Sequence, residues 1–252
     1  MMAKQFMIAG NWKMFKTVAE SREFVTNLAK EFNATPGLTV AVFPPFIALD
    51  AMRGMDPKIH IGAQNMFYEE KGAFTGEVSP LMLQGLAEFI LVGHSERREI
   101  FHESDEEVNK KLLSALKFKL NPVLCVGETL PEREAGETLS KIKNQLDKCL
   151  QGVAGGEWEK ITLAYEPIWA IGTGRNATPE QAQDVHRFIR RALEEKFPGN
   201  RIPILYGGSV KPENSLELLS QEDISGVLVG GASLKVEQFS AIIRNGLKLL
   251  KS

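Results

Sequence analysis

ITLAYEPIWAIGTGRNATPEQAQDVHRFIRRALEEKFPGNRIPILY, residues 161–206, holds a strand–helix–strand unit that decides how the chain is built. Ile161–Tyr165 is a short apolar run of strand length. Thr178-Pro179-Glu180-Gln181 then supplies an N-cap, a proline at the first helical position and a glutamine at the third. Ala182, Val185, Phe188, Ile189, Ala192 and Leu193 recur at helical spacing and form one apolar stripe. Ile204–Tyr206 is strand-like again. A strand, an amphipathic helix and a second strand imply parallel pairing through a right-handed crossover.

The same alternation extends in both directions. Towards the N-terminus, Pro131–Leu150 reads as one long helix after a strand at Pro122–Val126. Ser104-Asp105-Glu106-Glu107 forms a capping box, and Val108, Leu112, Ala115 and Leu116 continue that helix face. Phe89–Val92 is apolar throughout, as in a strand buried on both sides. His60–Ala63, Thr39–Phe43 and Phe6–Ala9 are further strands, separated by a short helix at Ile47–Arg53 and a longer one at Thr17–Phe32. Towards the C-terminus, Val227–Val229 is a strand and Val236–Leu250 the closing helix. Strands starting at Phe6, Thr39, His60, Phe89, Pro122, Ile161, Ile204 and Val227 make eight units. Eight favours a closed parallel sheet over the competing open, doubly wound one. With no linker or composition break, residues 1–252 are expected to form a single-domain (β/α)8 barrel, an α/β fold.

Composition sets bounds on function. The 252 residues are 43% hydrophobic and 25% charged, which excludes disorder and coiled coil as the main architecture. Lys plus Arg is 30 and Asp plus Glu is 32, a net charge of −2, so neither nucleic acid nor an anionic membrane is an expected partner. No apolar run approaches the ~20 residues of a membrane helix. Phe6–Ala9 is too short for a signal-peptide core. Cys125 and Cys149 form no disulfide framework, and the expected compartment is the cytoplasm.

In such barrels the site lies at the C-terminal ends of the strands. Asn11 and Lys13 follow the first strand, Gln64 and Asn65 the third, His94, Ser95 and Glu96 the fourth, and Glu166 the sixth. Gly207-Gly208-Ser209 and Gly230-Gly231 follow the last two. Two glycine pairs on adjacent late strands suit a phosphate cradle, since bare backbone can bring N–H groups close to an anion. Tight turns at a crowded rim are the plainer reading. Gly172-Thr173-Gly174-Arg175-Asn176-Ala177 fits a dinucleotide pattern, but its first glycine does not follow the strand directly, so that reading is rejected. Pro167–Ala177 reads instead as a lid with an apolar middle at Ile168, Trp169 and Ile171. A lid beginning beside Glu166 would dry this carboxylate and strengthen it as a base. His94 stands where following N–H groups would face the ring and favour neutral imidazole. Lys13 would be a fixed cation for an anionic substrate and a developing oxyanion. His60, His102 and His186 read as structural and Cys125 as an inert core residue. Nothing has metal-ligand spacing, and neither a metal nor a cofactor is expected.

Ala9–Met14, Val92–Arg98, Ala164–Gly174, Tyr206–Val210 and Leu228–Leu234, in this order, resemble the triosephosphate isomerase family across essentially the whole chain. The resemblance implies interconversion of dihydroxyacetone phosphate and D-glyceraldehyde 3-phosphate through an enediol(ate), in glycolysis and gluconeogenesis. It implies Glu166 as base, His94 as electrophile, Lys13 as electrostatic stabiliser with Asn11 beside it, and Glu96 as the lysine's support. Asn11, Lys13, Gly172, Ser209, Gly230 and Gly231 would bind substrate. Residues 64–77 resemble a loop that enters a partner subunit, placing Thr75 at the interface of a homodimer. Phe15 and Phe74 depart from the family's frequent Asn and Tyr, and Phe74 removes one hydroxyl from that interface. Two rivals are a different phosphosugar barrel, which should lack the Asn11 and Lys13 pair, and a non-catalytic barrel, which would have no need of Glu166 and His94.

Overall fold

Apolar strands and capped helices alternate until the sheet meets its own beginning. The computed structural model describes residues 5–171 and 177–251. Among them eight strands follow one another: β1 (Phe6–Asn11), β2 (Leu38–Phe43), β3 (Ile59–Ala63), β4 (Phe89–Val92), β5 (Asn121–Val126), β6 (Thr162–Tyr165), β7 (Ile204–Tyr206) and β8 (Gly226–Val229). Each pairs in parallel with its neighbours in sequence, and β8 pairs with β1, so the barrel is closed. The helices are α1 (Val18–Leu28), α2 (Leu49–Met52), α3 (Pro80–Leu83), α4 (Ser95–Glu99), α5 (Asp105–Lys117), α6 (Leu130–Glu134), α7 (Thr138–Cys149), α8 (Pro179–Lys196), α9 (Pro212–Ser220) and α10 (Val236–Leu250).

The expected caps form. Ser104 with Glu107, and Thr178 with Gln181, close reciprocal capping boxes on α5 and α8, and Thr17 does the same with Glu20 on α1. Each cap is worth about 1 kcal/mol. The single helix expected over 131–150 is in fact two, α6 and α7. Gly136 takes a left-handed φ of 74°, its N–H bonds to the Arg133 carbonyl, and the Glu137 N–H bonds to that of Glu132. That is a Schellman stop, and glycine is the residue that adopts it without strain. The expected 47–53 helix is a 3-10 turn at Phe46–Ala48 running into α2. Helix α9 is a further element, whose short sequence carries too weak an apolar stripe to predict it.

Alternation along the strands separates two apolar layers. Met7, Ala9, Ala41, Phe43, Leu91, Val123, Cys125, Ala164, Leu205 and Leu228 pack together inside the barrel. Their strand neighbours, such as Ile8, Val40, Ile90, Leu163 and Ile204, pack outward against the helices. Full burial of a side chain of this size is worth roughly 1.5–3 kcal/mol. The two layers hold the strand ends rigid, and the candidate residues sit on those ends.

Candidate active site

Strand β1 delivers Asn11, buried, and the chain then turns sharply. Lys13 has φ 50°, and its N–H donates to Asn11 Oδ1 at 3.0 Å. Its ammonium reaches across to Glu96, with Nζ 2.5 Å from Oε1. Both side chains are partly solvated, so the pair orients the lysine more than it stabilises the fold.

Strand β4 delivers His94, which caps α4. The Glu96 N–H donates to its Nδ1 at 3.2 Å, so the ring nitrogen facing the helix carries no proton and the other, Nε2, does. Nε2 lies 3.0 Å from Glu166 Oε1, and the Ser95 N–H donates to Glu166 Oε2 at 2.8 Å. Strand β6 therefore ends in a carboxylate that spans the histidine and a backbone donor. Glu166 is only 2% exposed. Burial alone would raise its pKa. His94, through its hydrogen bond and through its charge when protonated, the Ser95 N–H and Lys13 outweigh burial and hold the carboxyl below the ordinary glutamate value. Burial would lower the His94 pKa, but the adjacent Glu166 carboxylate outweighs it and raises the pKa in this arrangement. The Glu96 N–H acts against that rise, because a protonated Nδ1 would confront another donor. The raised value belongs to the ring with Glu166 resting on it; once the carboxylate leaves, burial and the helix N–H both favour the neutral ring.

The glycines after β5 and β7 have a role that their sequence pattern did not reveal. A Cβ on Gly127 would fall 1.8 Å from the Glu166 carbonyl oxygen, and one on Gly207 would fall 2.9 Å from Glu166 Cγ. A Cβ on Gly208 would strike the Tyr206 hydroxyl at 2.2 Å. These glycines make room for the base and its neighbours. Gly230 and Gly231 differ: a Cβ on Gly230 would touch only Lys13 Cε, at 3.7 Å, and one on Gly231 would meet open space. Their backbone borders the mouth. Ser209 is half-buried, and its carbonyl accepts from Asn214. Gly172 lies outside the described residues.

Glu128, which the sequence reading passed over, is fully buried beyond β5. Its Oε1 accepts from the Tyr165 hydroxyl at 3.0 Å and from Trp169 Nε1 at 2.9 Å, with Arg133 3.4 Å away. It therefore ties the base of the 167–171 segment to β6. The signal for it was a carboxylate directly after a buried strand and a glycine. Ile168, Trp169 and Ile171 are half-buried here.

Other expected residues sit apart from this cluster. Asn65 turns into the protein and accepts from Lys111, which pairs with Glu103 and through it with Arg97. Thr75 is exposed at the tip of the loop after β3, beside a half-exposed Phe74 whose ring packs on Phe67. Met14, Phe15, Ile100 and Phe101 in loops, Ile47 in the 3-10 turn after β2 and Met82 in α3 are further exposed apolar side chains. Cys125 is fully buried, and burial, with the Glu166 charge, pushes its thiol well up, so it is inert. His186 is a core residue whose pKa burial lowers to about 4. A cleft of about 410 Å³ opens at the other end of the barrel, beside Arg53, Glu88, Lys119 and Asn121. It contains none of the clustered residues, and the strand C-termini carry the candidate site. Among the described residues no helix is long and apolar enough to cross a membrane.

The family model described as triosephosphate isomerase matches residues 6–246. A protein named triosephosphate isomerase from Carboxydothermus hydrogenoformans is 51% identical, covering 98% of this chain and 100% of its own. Proteins of the same name from Alkaliphilus metalliredigens and Geobacter metallireducens are 50% and 48% identical, each over 94% of this chain and 98% and 97% of their own.

Proposed function

The chain belongs to the triosephosphate isomerase family, and on that premise we propose that it interconverts dihydroxyacetone phosphate and D-glyceraldehyde 3-phosphate. The observation that supports this most directly is the dry pairing of Glu166 with His94: an ionised carboxylate and a ring N–H meet 3.0 Å apart at the mouth of the barrel.

The reaction moves one proton between adjacent carbons. Glu166 removes it from the carbon beside the carbonyl, and the electron pair moves onto the carbonyl oxygen. His94, through Nε2–H, donates a hydrogen bond to that oxygen; the proton of the adjacent hydroxyl passes to it, the hydroxyl oxygen becomes the new carbonyl, and Glu166 returns its proton to the neighbouring carbon. Substrate entering between the two side chains replaces their mutual contact. Lys13 supplies fixed positive charge to the phosphate and the oxyanion, and Asn11 donates beside it. Glu96 keeps the lysine aimed at the mouth. Gly172, Ser209, Gly230 and Gly231 bind the phosphate through backbone N–H groups. The substrate undergoes no net oxidation or reduction, so the reaction calls for no hydride carrier.

In this reading the exposed apolar loops around Thr75 meet a second copy of the chain, and the 167–177 segment closes over bound substrate. The protein works as a single-domain homodimer in the cytoplasm, in glycolysis and gluconeogenesis. The test is a coupled assay of the purified protein in both directions. Turnover of triose phosphate is the expected result; its absence in folded protein would refute the reading.

A further inference from the structure

Lys13 adopts a left-handed backbone that favours glycine, and something must hold it there. Its peptide is gripped from both sides. Asn11 Oδ1 accepts from its N–H at 3.0 Å, and Gln64 Nε2 donates to its carbonyl at 2.8 Å. The same Gln64 amide donates to the Phe43 carbonyl, also at 2.8 Å. Phe43 ends β2 and Gln64 follows β3. A single side-chain amide therefore fastens the turn after β1 to two further strand ends. In the sequence Gln64 stands out as a polar residue at a strand end and as the first residue of the 64–77 loop, and no part of the proposed chemistry uses it.

We propose that Gln64 is a positioning residue for Lys13. It fixes the peptide whose unusual φ aims the ammonium between Glu96 and Gly230. Lys13 Cε passes 3.7 Å from where a Gly230 Cβ would be, and Nζ sits on Glu96. If the carbonyl of residue 13 leaves Gln64, the backbone relaxes towards negative φ and the Cα–Cβ bond swings away from the mouth. Neither Gln64 nor its bonds need touch substrate for this to matter. The inference rests on the isomerase reading, because it assigns Gln64 its effect through the lysine that binds the substrate's phosphate.

The experiment is a double-mutant cycle between Gln64 and Lys13. Gln64→Ala removes both donated bonds. Gln64→Glu keeps the volume but sets oxygen against two carbonyls. The readouts are kcat and KM in the coupled assay, and the Kd of phosphoglycolate, whose planar carboxylate stands in for the enediolate. Either substitution should lower kcat/KM about tenfold, with a raised KM as part of the loss, and raise the phosphoglycolate Kd about tenfold. In a Lys13→Met background the same substitutions should change that Kd less than twofold. An equal factor in both backgrounds would make Gln64 a purely structural residue and overturn the proposal. So would unchanged kinetics, or a loss that tracks unfolding in both variants. Absence of turnover in the unmodified protein would instead overturn the isomerase reading, so the two failures are distinct.

Discussion

Substituting Gly207 by alanine should damage catalysis by pushing on the base from behind. A Cβ there lies 2.9 Å from Glu166 Cγ and 3.2 Å from the Tyr165 carbonyl oxygen, whereas ordinary contact starts near 3.4 Å. Relief requires Glu166 to shift by about 0.5–1 Å, because β6 is anchored by its backbone pairing with β5 and β7. A 1 Å misplacement of a reacting group can cost ~10²-fold in rate. Gly207→Ala should therefore lower kcat about 10–100-fold, equivalent to about 1.4–2.7 kcal/mol of transition-state stabilisation. Overpacking should also destabilise the fold by about 1–3 kcal/mol. Steady-state kinetics in both directions, alongside a thermal melt, separates the two effects. If the melt falls while kcat stays within twofold of the parent, the close approach does not set the position of the base and the reasoning fails.

Four further outcomes can be checked directly. Glu166→Gln keeps the shape but removes the basic oxygen, so kcat should fall by at least ~10²-fold; nitrogen NMR should also show the His94 pKa drop, since the carboxylate that raises it is gone. Thr75→Glu should weaken self-association and activity together in sedimentation and kinetic assays, and a fully active monomer would contradict the interface reading. Lys119 holds the left-handed position that ends α5, with φ 61°, so Lys119→Gly should relieve about 1–2 kcal/mol of strain. Glycine's extra freedom in the unfolded chain offsets ~0.4–1 kcal/mol of that, leaving a Tm rise of about 2 °C with unchanged kinetics; a lower Tm would refute it. Glu103 has a folded pKa below the usual value, because Lys111 and Arg97 outweigh its burial. Its stabilisation is complete above the unfolded value of ~4.3 and is lost as pH falls through the folded pKa. Glu103→Gln should therefore be less stable at pH 7 and lose less between neutral and acid pH; an unchanged slope would exclude this.

Local signals carried most of the architecture. The Thr178–Gln181 cap, the stripe on α8 and the apolar runs at 89–92 and 204–206 specify their elements within a few residues, so the barrel could be counted from the sequence. The error at 131–150 came from an apolar pattern that continues across Gly136, where backbone conformation rather than periodicity ends the helix. Glu166, His94 and Lys13 are visible as unusual residues at strand ends, and the fold brings them together. What could not be read is who touches whom across the barrel. Gly127 and Gly207 look like loop glycines until Glu166 lies against them. Glu128 looks like one more rim carboxylate until Tyr165 and Trp169 converge on it. Asn65 turns away to Lys111, which no spacing in the chain foretells.

The pairing of β1 with β8 also orders events during synthesis. Residues 7–10 find their partners at 226–229, more than 200 residues later in the chain. A ribosome adding ~5–20 residues per second leaves that interval open for roughly 10–40 s. Throughout it, the first strand offers an unpaired row of peptide groups to any extended chain nearby. The finished barrel has no such edge, but the nascent one does, and it is closed only by one of the last segments to be made.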